Sequence, residues 1–269
     1  MESKTLRAAL CVWQRLAAVG KRPATQQYHT ELVLIFTRRF PNVDSLVHEI
    51  TPEQISEFLE AVAHYSAPRY NALLGVLKAT VPQTPPLRFR SVTPKDVQLP
   101  NQTEFEAILR ELDNAHRGHS GLVARFLALT GLRIKEARRV RWIDVRDDCL
   151  LVPAAVTKNA KPRAVPMLPA LMDVINRLRG VGAERETIVP QLSIRTALQF
   201  ACRRAGVRRI SHHDFRRLYV TRCIESGVDV PTVARWAGHQ DGGGLLARTY
   251  FHLIDSHSRD MARRVEIRV

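Results

Sequence analysis

A histidine, an arginine, a second histidine and a tyrosine stand in order between residues 213 and 250, and together they combine cations with a nucleophile. His213 and Arg216 are three residues apart, so on a helix they share one face and can reach the same anion. Gly238 can end a helix and leave the imidazole of His239 at its polar end. Tyr250 follows a glycine-rich loop, whose flexibility could let the phenol swing towards the cations. This set is suited to attack on a phosphodiester, because displacement adds negative charge to its oxygens.

In order and spacing these residues resemble the tyrosine recombinases, the phage-integrase and Xer-like family. The resemblance consists of H-x-x-R at residues 213–216, G-H at residues 238–239, and a tyrosine followed by x-H at residues 250–252. Upstream, residues 131–136 read G-L-R-I-K-E and match the family's first arginine box, G-L-R-x-x-E. Three boxes in this order, with an upstream match, point to the family much more specifically than any one box does.

The arginine of the first box, Arg133, follows a nearly wholly apolar segment at residues 120–130, which predicts a buried helix ending at Gly131. An arginine just beyond a buried helix has a rigid support, and Glu136, one turn on, can orient its guanidinium. Arg133 is therefore a candidate phosphate clamp. The alternative is a surface arginine that only pairs with Glu136.

A β-hairpin is predicted around the turn at residues 157–162, between strands at about 150–156 and 164–166. A hairpin tip can carry a lysine into a DNA groove. The family has its catalytic lysine early in a turn of this kind, and Lys158 matches that place. By the same resemblance, Lys161 and Arg163 are expected to contact the DNA backbone.

The resemblance implies a complete mechanism. Tyr250 would attack the scissile phosphate to give a 3′-phosphotyrosyl intermediate and a free 5′-hydroxyl, with His213 assisting proton transfer from the tyrosine. Lys158 would protonate the leaving oxygen. No metal, nucleotide or other cofactor is expected, because the phosphotyrosine retains the bond energy. The predicted catalytic residues are Arg133, Lys158, His213, Arg216, His239 and Tyr250, of which Arg133, Arg216 and His239 would hold the non-bridging oxygens.

Several alternatives stay open from the sequence. A type IB topoisomerase would use nearly the same groups on a single duplex, and a non-catalytic DNA-binding protein would keep the basic surface alone. Tyr219, in the same predicted helix as Arg216, is the next tyrosine to consider as nucleophile, although its apolar neighbours favour a core position. A zinc site could be assembled from scattered ligands, but these lack paired ligand spacing: His212, His213, Cys223 and His239.

The composition favours a polyanionic partner. The 269 residues carry a formal net charge of +15, with a sequence pI near 10.5. Residues 91–269 hold 30 of the basic and 19 of the acidic residues, so most of the excess accompanies the motifs. The four cysteines lack C-x-x-C spacing, and no apolar run approaches the length of a membrane span. We expect a cytoplasmic protein whose partner is double-stranded DNA.

The predicted fold is mainly α, with a small β-sheet or hairpin in the catalytic domain. Residues 1–87 show four amphipathic helical segments and predict a small helical domain, whose pattern resembles the core-binding domain of the same family. Residues 88–102 predict a linker, and by the resemblance residues 103–269 form the catalytic domain with its tail. In the tail, residues 256–269 suggest a short helix and a final strand. From the resemblance, we expect a monomer in free solution and a homo-tetramer on two DNA sites, with this tail docked on a neighbouring protomer.

Overall fold

A computed structural model of the chain describes residues 4–92, 98–114, 119–157, 160–190, 193–239, 243–244 and 246–247. The chain divides into two compact units, residues 1–96 and 97–269. The described residues are mostly helical, with one two-stranded antiparallel sheet, so the predicted fold class is confirmed. Within these residues, no helix is long and apolar enough to cross a membrane.

The first unit is a helical bundle of α1 (Leu6–Ala18), α2 (Pro23–Arg39), α3 (Pro52–Ala61) and α4 (Ala67–Thr80). Residues 51–54 read T-P-E-Q and so predict a capping box, which is present at the start of α3, since Thr51 and Gln54 bond reciprocally to each other's backbone N–H. The core of the bundle includes a stacked pair of rings, Phe36 and Phe58, whose centroids are 4.4 Å apart. The buried apolar side chains of the four helices form a hydrophobic core within this unit.

The first residues of the predicted linker lie against the first unit. The Arg90 backbone N–H donates to Asn71 Oδ1 at 2.8 Å, and Asn71 Nδ2 donates to the Arg90 carbonyl at 2.9 Å. The Arg90 guanidinium also lies 3.5 Å from the centroid of the Tyr70 ring and donates to the Ala63 carbonyl. Both the backbone and the side chain of Arg90 are thus fixed to the helical bundle.

The second unit surrounds a buried central helix, α6 (His119–Thr130), which packs against α5 (Gln102–Asp113), α8 (Pro169–Gly180) and α10 (His212–Glu225). Seven of its twelve residues are buried, as its apolar sequence predicts. The strands pair with Cys149 opposite Pro166 and Val152 opposite Arg163. The elements are α5 (Gln102–Asp113), α6 (His119–Thr130), α7 (Ile134–Ala137), β1 (Cys149–Val152), β2 (Arg163–Pro166), α8 (Pro169–Gly180), α9 (Arg195–Arg204), α10 (His212–Glu225) and α11 (Val230–Ala237).

Two local predictions in the second unit are wrong. Residues 103–106 read T-E-F-E and so predict a capping box beginning at Thr103, but the cap of α5 is Asn101, whose side chain accepts the Glu104 N–H at 2.9 Å. Asparagine caps as well as threonine does, and Glu104 is its reciprocal partner three residues on. Strand β1 ends at Val152 rather than continuing to Val156, because the chain turns after Pro153. The helix and strand suggested for residues 256–269 lie outside the described residues.

Candidate active site

The first arginine box forms a tight corner after α6. Gly131 closes the helix with its N–H bonded to the Leu127 carbonyl at 3.0 Å and with a left-handed φ of +61°. Two residues later Arg133 is the N-cap residue of α7, and its Nη1 donates to Glu136 Oε1 at 2.9 Å. Its backbone N–H also donates to Glu136 Oε2, at 3.1 Å. Glu136 is buried while the Arg133 side chain remains one-third exposed, so the predicted support for the guanidinium is present.

The H-x-x-R box lies in the first turns of α10, where both side chains fall on one face as predicted. Ser211 caps this helix, and its N–H and Oγ both donate to Asp214 Oδ2. The Arg216 side chain is buried, and its Nη1 donates to the Gly131 carbonyl at 3.0 Å. Gly131 and Arg216 are 85 residues apart in sequence, and their hydrogen bond joins the two arginine boxes.

Arg133, His213 and Arg216 line one cleft of about 460 Å³ between α7, α9 and the start of α10. Three further cations line the same cleft: Lys135, Arg195 and Arg209. A cleft lined by so many cations attracts a phosphate chain.

The pKa of His213 is lowered from its ordinary value of 6.5. The first cause is desolvation in the cleft, and the charges of Arg217, Arg216 and Arg133 act in the same direction while Asp214 opposes them. A lowered pKa favours the neutral form of the imidazole near neutral pH. A neutral imidazole can accept a proton, which is the role predicted for His213.

The G-H box, residues 238–239, lies at the end of α11. The predicted role of Gly238 as a helix terminator is confirmed. Gly238 has a φ of +71° in the left-handed region, and the N–H of His239 bonds to the Ala234 carbonyl at 2.8 Å. His239 is half-buried just beyond the helix. In the described part of the chain it is not among the residues that line the cleft with Arg133.

A buried arginine on β2, Arg163, connects the first arginine box with the segment that ends in the G-H box. Its side chain is only 6% exposed, its Nη2 donates to Glu136 Oε2 at 2.6 Å, and its Nε donates to the Trp236 carbonyl at 2.9 Å. The predicted contact of Arg163 with the DNA backbone is therefore wrong, because the folded unit covers this side chain. Burial raises the pKa of Glu136, but Arg163 and Arg133 outweigh it and keep that pKa below its ordinary value.

The alternation of side chains along β2 is a sequence signal for the burial of Arg163. Successive side chains of a strand point to opposite faces, so Arg163 shares a face with Val165. Val165 is fully buried in the core of the unit. An arginine two residues from a core valine in a short strand is thus expected to point inward, where it needs a carboxylate partner.

Two predicted catalytic residues, Lys158 and Tyr250, lie outside the described residues. The alternative nucleophile, Tyr219, is buried, and its pKa is raised first by burial and then by the Cys223 thiol. Such a phenol is a poor candidate for attack on DNA. Within the described residues, no three His, Cys, Asp or Glu side chains are grouped so that they could hold a metal ion.

Solved structures share this fold. A lambda integrase dimer bound to a COC′ core site matches 92% of this chain and 77% of that chain, at 19% identity and a TM-score of 0.75. A lambda integrase tetramer bound to a Holliday junction matches 89% of this chain and 75% of that chain, at 19% identity and a TM-score of 0.74. The Tn1549 transposon integrase in complex with circular intermediate DNA matches 88% and 92% of the respective chains, at 14% identity and a TM-score of 0.70.

Among curated proteins, no sequence matched the chain. The sequence model described as the phage integrase family matches residues 100–257, which is more than half of the chain. This range begins just before α5. It includes the first arginine box, the H-x-x-R box, the G-H box and the predicted nucleophile, Tyr250. The chain belongs to the phage integrase family of tyrosine recombinases.

Proposed function

We propose that this protein is a site-specific DNA recombinase that cleaves and rejoins strands through a 3′-phosphotyrosyl intermediate at Tyr250. The observation that carries the proposal is the convergence of Arg133, His213 and Arg216 on one cationic cleft. Both arginines are held by protein acceptors before any substrate arrives, Arg133 by Glu136 and Arg216 by the Gly131 carbonyl. Preorganised cations of this kind stabilise the charge that develops on a phosphate in the transition state.

In the proposed cleavage step, the Tyr250 oxygen forms a bond to phosphorus while the bond from phosphorus to the 5′ oxygen breaks. The tyrosine proton passes towards His213, whose lowered pKa keeps it able to accept one. Lys158 gives a proton to the departing 5′ oxygen. Rejoining reverses these transfers, because a 5′-hydroxyl attacks the phosphotyrosine and releases the tyrosine. Arg133, Arg216 and His239 hold the non-bridging oxygens in both directions.

The nucleophile can be tested by covalent capture. A pool of nicked duplexes of randomised sequence is incubated with the protein, and DNA that stays attached under denaturing conditions is sequenced to give the cleavage site. Tyr250→Phe should bind that site normally but form no adduct. Tyr219→Phe is the matched control and should form the adduct at the wild-type rate, because its phenol is buried.

The outcomes of this capture separate the functional classes. DNA binding by the wild-type protein without any adduct would leave only a DNA-binding function. Relaxation of supercoiled DNA without pairing of two sites would indicate a topoisomerase instead. An adduct that survives in Tyr250→Phe would move the nucleophile to another residue.

The proposal includes assembly of four protomers on two double-stranded DNA sites, with residues 256–269 docked on a neighbour. The likeness to a lambda integrase tetramer bound to a Holliday junction supports such an assembly. Residues 265–269 alternate apolar and charged side chains, and a segment this short cannot bury its apolar side alone. Linking the tail to a neighbour would tie assembly to placement of Tyr250.

The tail is tested by deleting residues 256–269. Binding to a single site should stay near the wild-type level, whereas pairing of two sites and strand exchange should be impaired. A truncated protein that recombines two sites at the full-length rate would rule out docking on a neighbour.

A further inference from the structure

We infer that Arg163 is a positioning residue of the active site, which fixes the Arg133 clamp and the His239 end of α11 relative to each other. This inference rests on the proposed function, and it concerns a residue that is expected to touch neither the DNA nor the reacting atoms. Its guanidinium contacts both segments at once, through Glu136 on one side and the Trp236 carbonyl on the other.

On the first side, Glu136 is held between two guanidiniums. Its Oε1 accepts from Arg133 Nη1 at 2.9 Å, and its Oε2 accepts from Arg163 Nη2 at 2.6 Å. Glu136 and Arg163 are both buried, whereas Arg133 is one-third exposed and faces the cleft. Without Arg163, the carboxylate would keep Arg133 as its charged neighbour here and would draw that guanidinium away from the phosphate.

On the second side, the guanidinium supports the end of α11. Arg163 Nε donates to the carbonyl of Trp236 at 2.9 Å, three residues before His239. A β-carbon added at Gly238 would stand 3.0 Å from Arg163 Cζ, so the helix end packs closely on the guanidinium. The position of the His239 backbone therefore depends on the same side chain that holds Glu136.

The residue type at position 163 fits this role better than a role in stability. A buried ion pair contributes little to stability compared with well-packed apolar residues, because both charges must be desolvated. An arginine, however, offers a planar fork that can satisfy two acceptors from different elements with fixed geometry. A lysine has a single ammonium on a flexible stem and cannot reproduce both directions at once.

Arg163→Lys is the first test, since it keeps a positive charge next to Glu136. We expect DNA binding close to the wild-type level and single-turnover covalent cleavage slowed by about 100-fold, the loss that misplacement of a group by about 1 Å can cause. Arg125→Lys is the matched control. It also removes a two-pronged arginine pair, to Asp113 at 2.7 Å, but lies away from the cleft, so cleavage should be unchanged.

A second substrate separates positioning from general damage to the fold. A methylphosphonate at the scissile position replaces one non-bridging oxygen by a neutral methyl group, so alignment of the cations matters less. The loss in Arg163→Lys should then shrink by about 10-fold or more, because the defect lies in charge stabilisation. Equal losses on the phosphate and methylphosphonate substrates would overturn the inference.

A paired variant covers the case in which Arg163→Lys does not fold. Glu136→Gln with Arg163→Met removes both buried charges together, which is tolerated better than removing one. This protein should fold, cleave the phosphate slowly and show the same gain on methylphosphonate; cleavage at the wild-type rate would overturn the inference. If the wild-type protein forms no adduct with either substrate, the proposed function fails instead, so the two failures are distinguishable.

Discussion

The ring of Tyr219 lies directly against the backbone of Gly131. A β-carbon at residue 131 would stand 2.4 Å from Tyr219 Cδ1, closer than any side chain allows. The same glycine has a left-handed φ of +61°, and its carbonyl accepts the hydrogen bond from Arg216 Nη1. One residue therefore connects the end of the buried helix α6 with both the core and the catalytic face of α10.

Gly131→Ala should destabilise the protein strongly. The left-handed backbone costs about 1–2 kcal/mol for a residue with a β-carbon, and forced repacking around Tyr219 adds about 1–3 kcal/mol. Gly206→Ala is the matched control, since Gly206 also has a left-handed φ, of +69°, but open space around its Cα. Urea denaturation should show a clearly larger loss in the free energy of unfolding for Gly131→Ala. Equal losses would mean that the Tyr219 ring moves aside freely.

The pH dependence of cleavage should report His213. Its pKa is lowered from 6.5, first by desolvation and then by Arg217 and Arg216. A base must be neutral to accept a proton, so the rate should fall as pH drops through this lowered pKa and level off above it. When the protein is below saturation, the cleavage rate reports the pKa of His213 in the free protein. The acid limb should therefore lie below pH 6.5.

His213→Gln should lose this acid limb and cleave about 100-fold more slowly at neutral pH, since general base catalysis is removed. His48→Gln, at an exposed histidine of the first unit, is the control and should keep the wild-type profile. An acid limb that persists unchanged in His213→Gln would transfer the proton-accepting role to another group.

Lys158 can be tested by changing the leaving group. A substrate whose 5′ bridging oxygen is replaced by sulfur leaves as a thiolate and needs no proton. Lys158→Ala should cleave the oxygen substrate about 100-fold more slowly than the wild type but recover most of the rate with sulfur. Lys161→Ala is the comparison, because the Lys161 side chain is exposed. The backbone N–H of Lys161 donates to Thr157 Oγ1 at 3.1 Å, a bond that the substitution does not remove. Rescue in Lys161→Ala rather than Lys158→Ala would move the general acid by three residues.

The elements that position the site could be predicted because their signals are local. Apolar spacing gives the helices, and Gly131 and Gly238 end α6 and α11. Each of these signals depends on residues within one or two turns. The spacing of His213 and Arg216 likewise gave their common face without any knowledge of the fold.

The contacts that hold the site together could not be predicted in the same way. Arg163 is 27 residues from Glu136 and 73 residues from Trp236 in sequence, so its partners become neighbours only in the folded unit. The convergence of Lys135 and Arg209 on the cleft has the same cause. Strand alternation could have shown that Arg163 points inward, but not which carboxylate receives it.

The two hydrogen bonds between Asn71 and Arg90 should hold the segment around Arg90 on the helical bundle. Asn71 makes both a donor and an acceptor contact to the Arg90 backbone, and replacement by alanine leaves both backbone groups without it. Asn71→Ala should therefore lower the free energy of unfolding by about 1–3 kcal/mol and speed tryptic cleavage after Arg88 and Arg90. Asn42→Ala is the matched control, because the Asn42 side chain accepts from a nearby exposed backbone N–H, that of Asp44. If trypsin cuts after Arg90 at the same rate in the wild type and in Asn71→Ala, the amide pair does not anchor this segment.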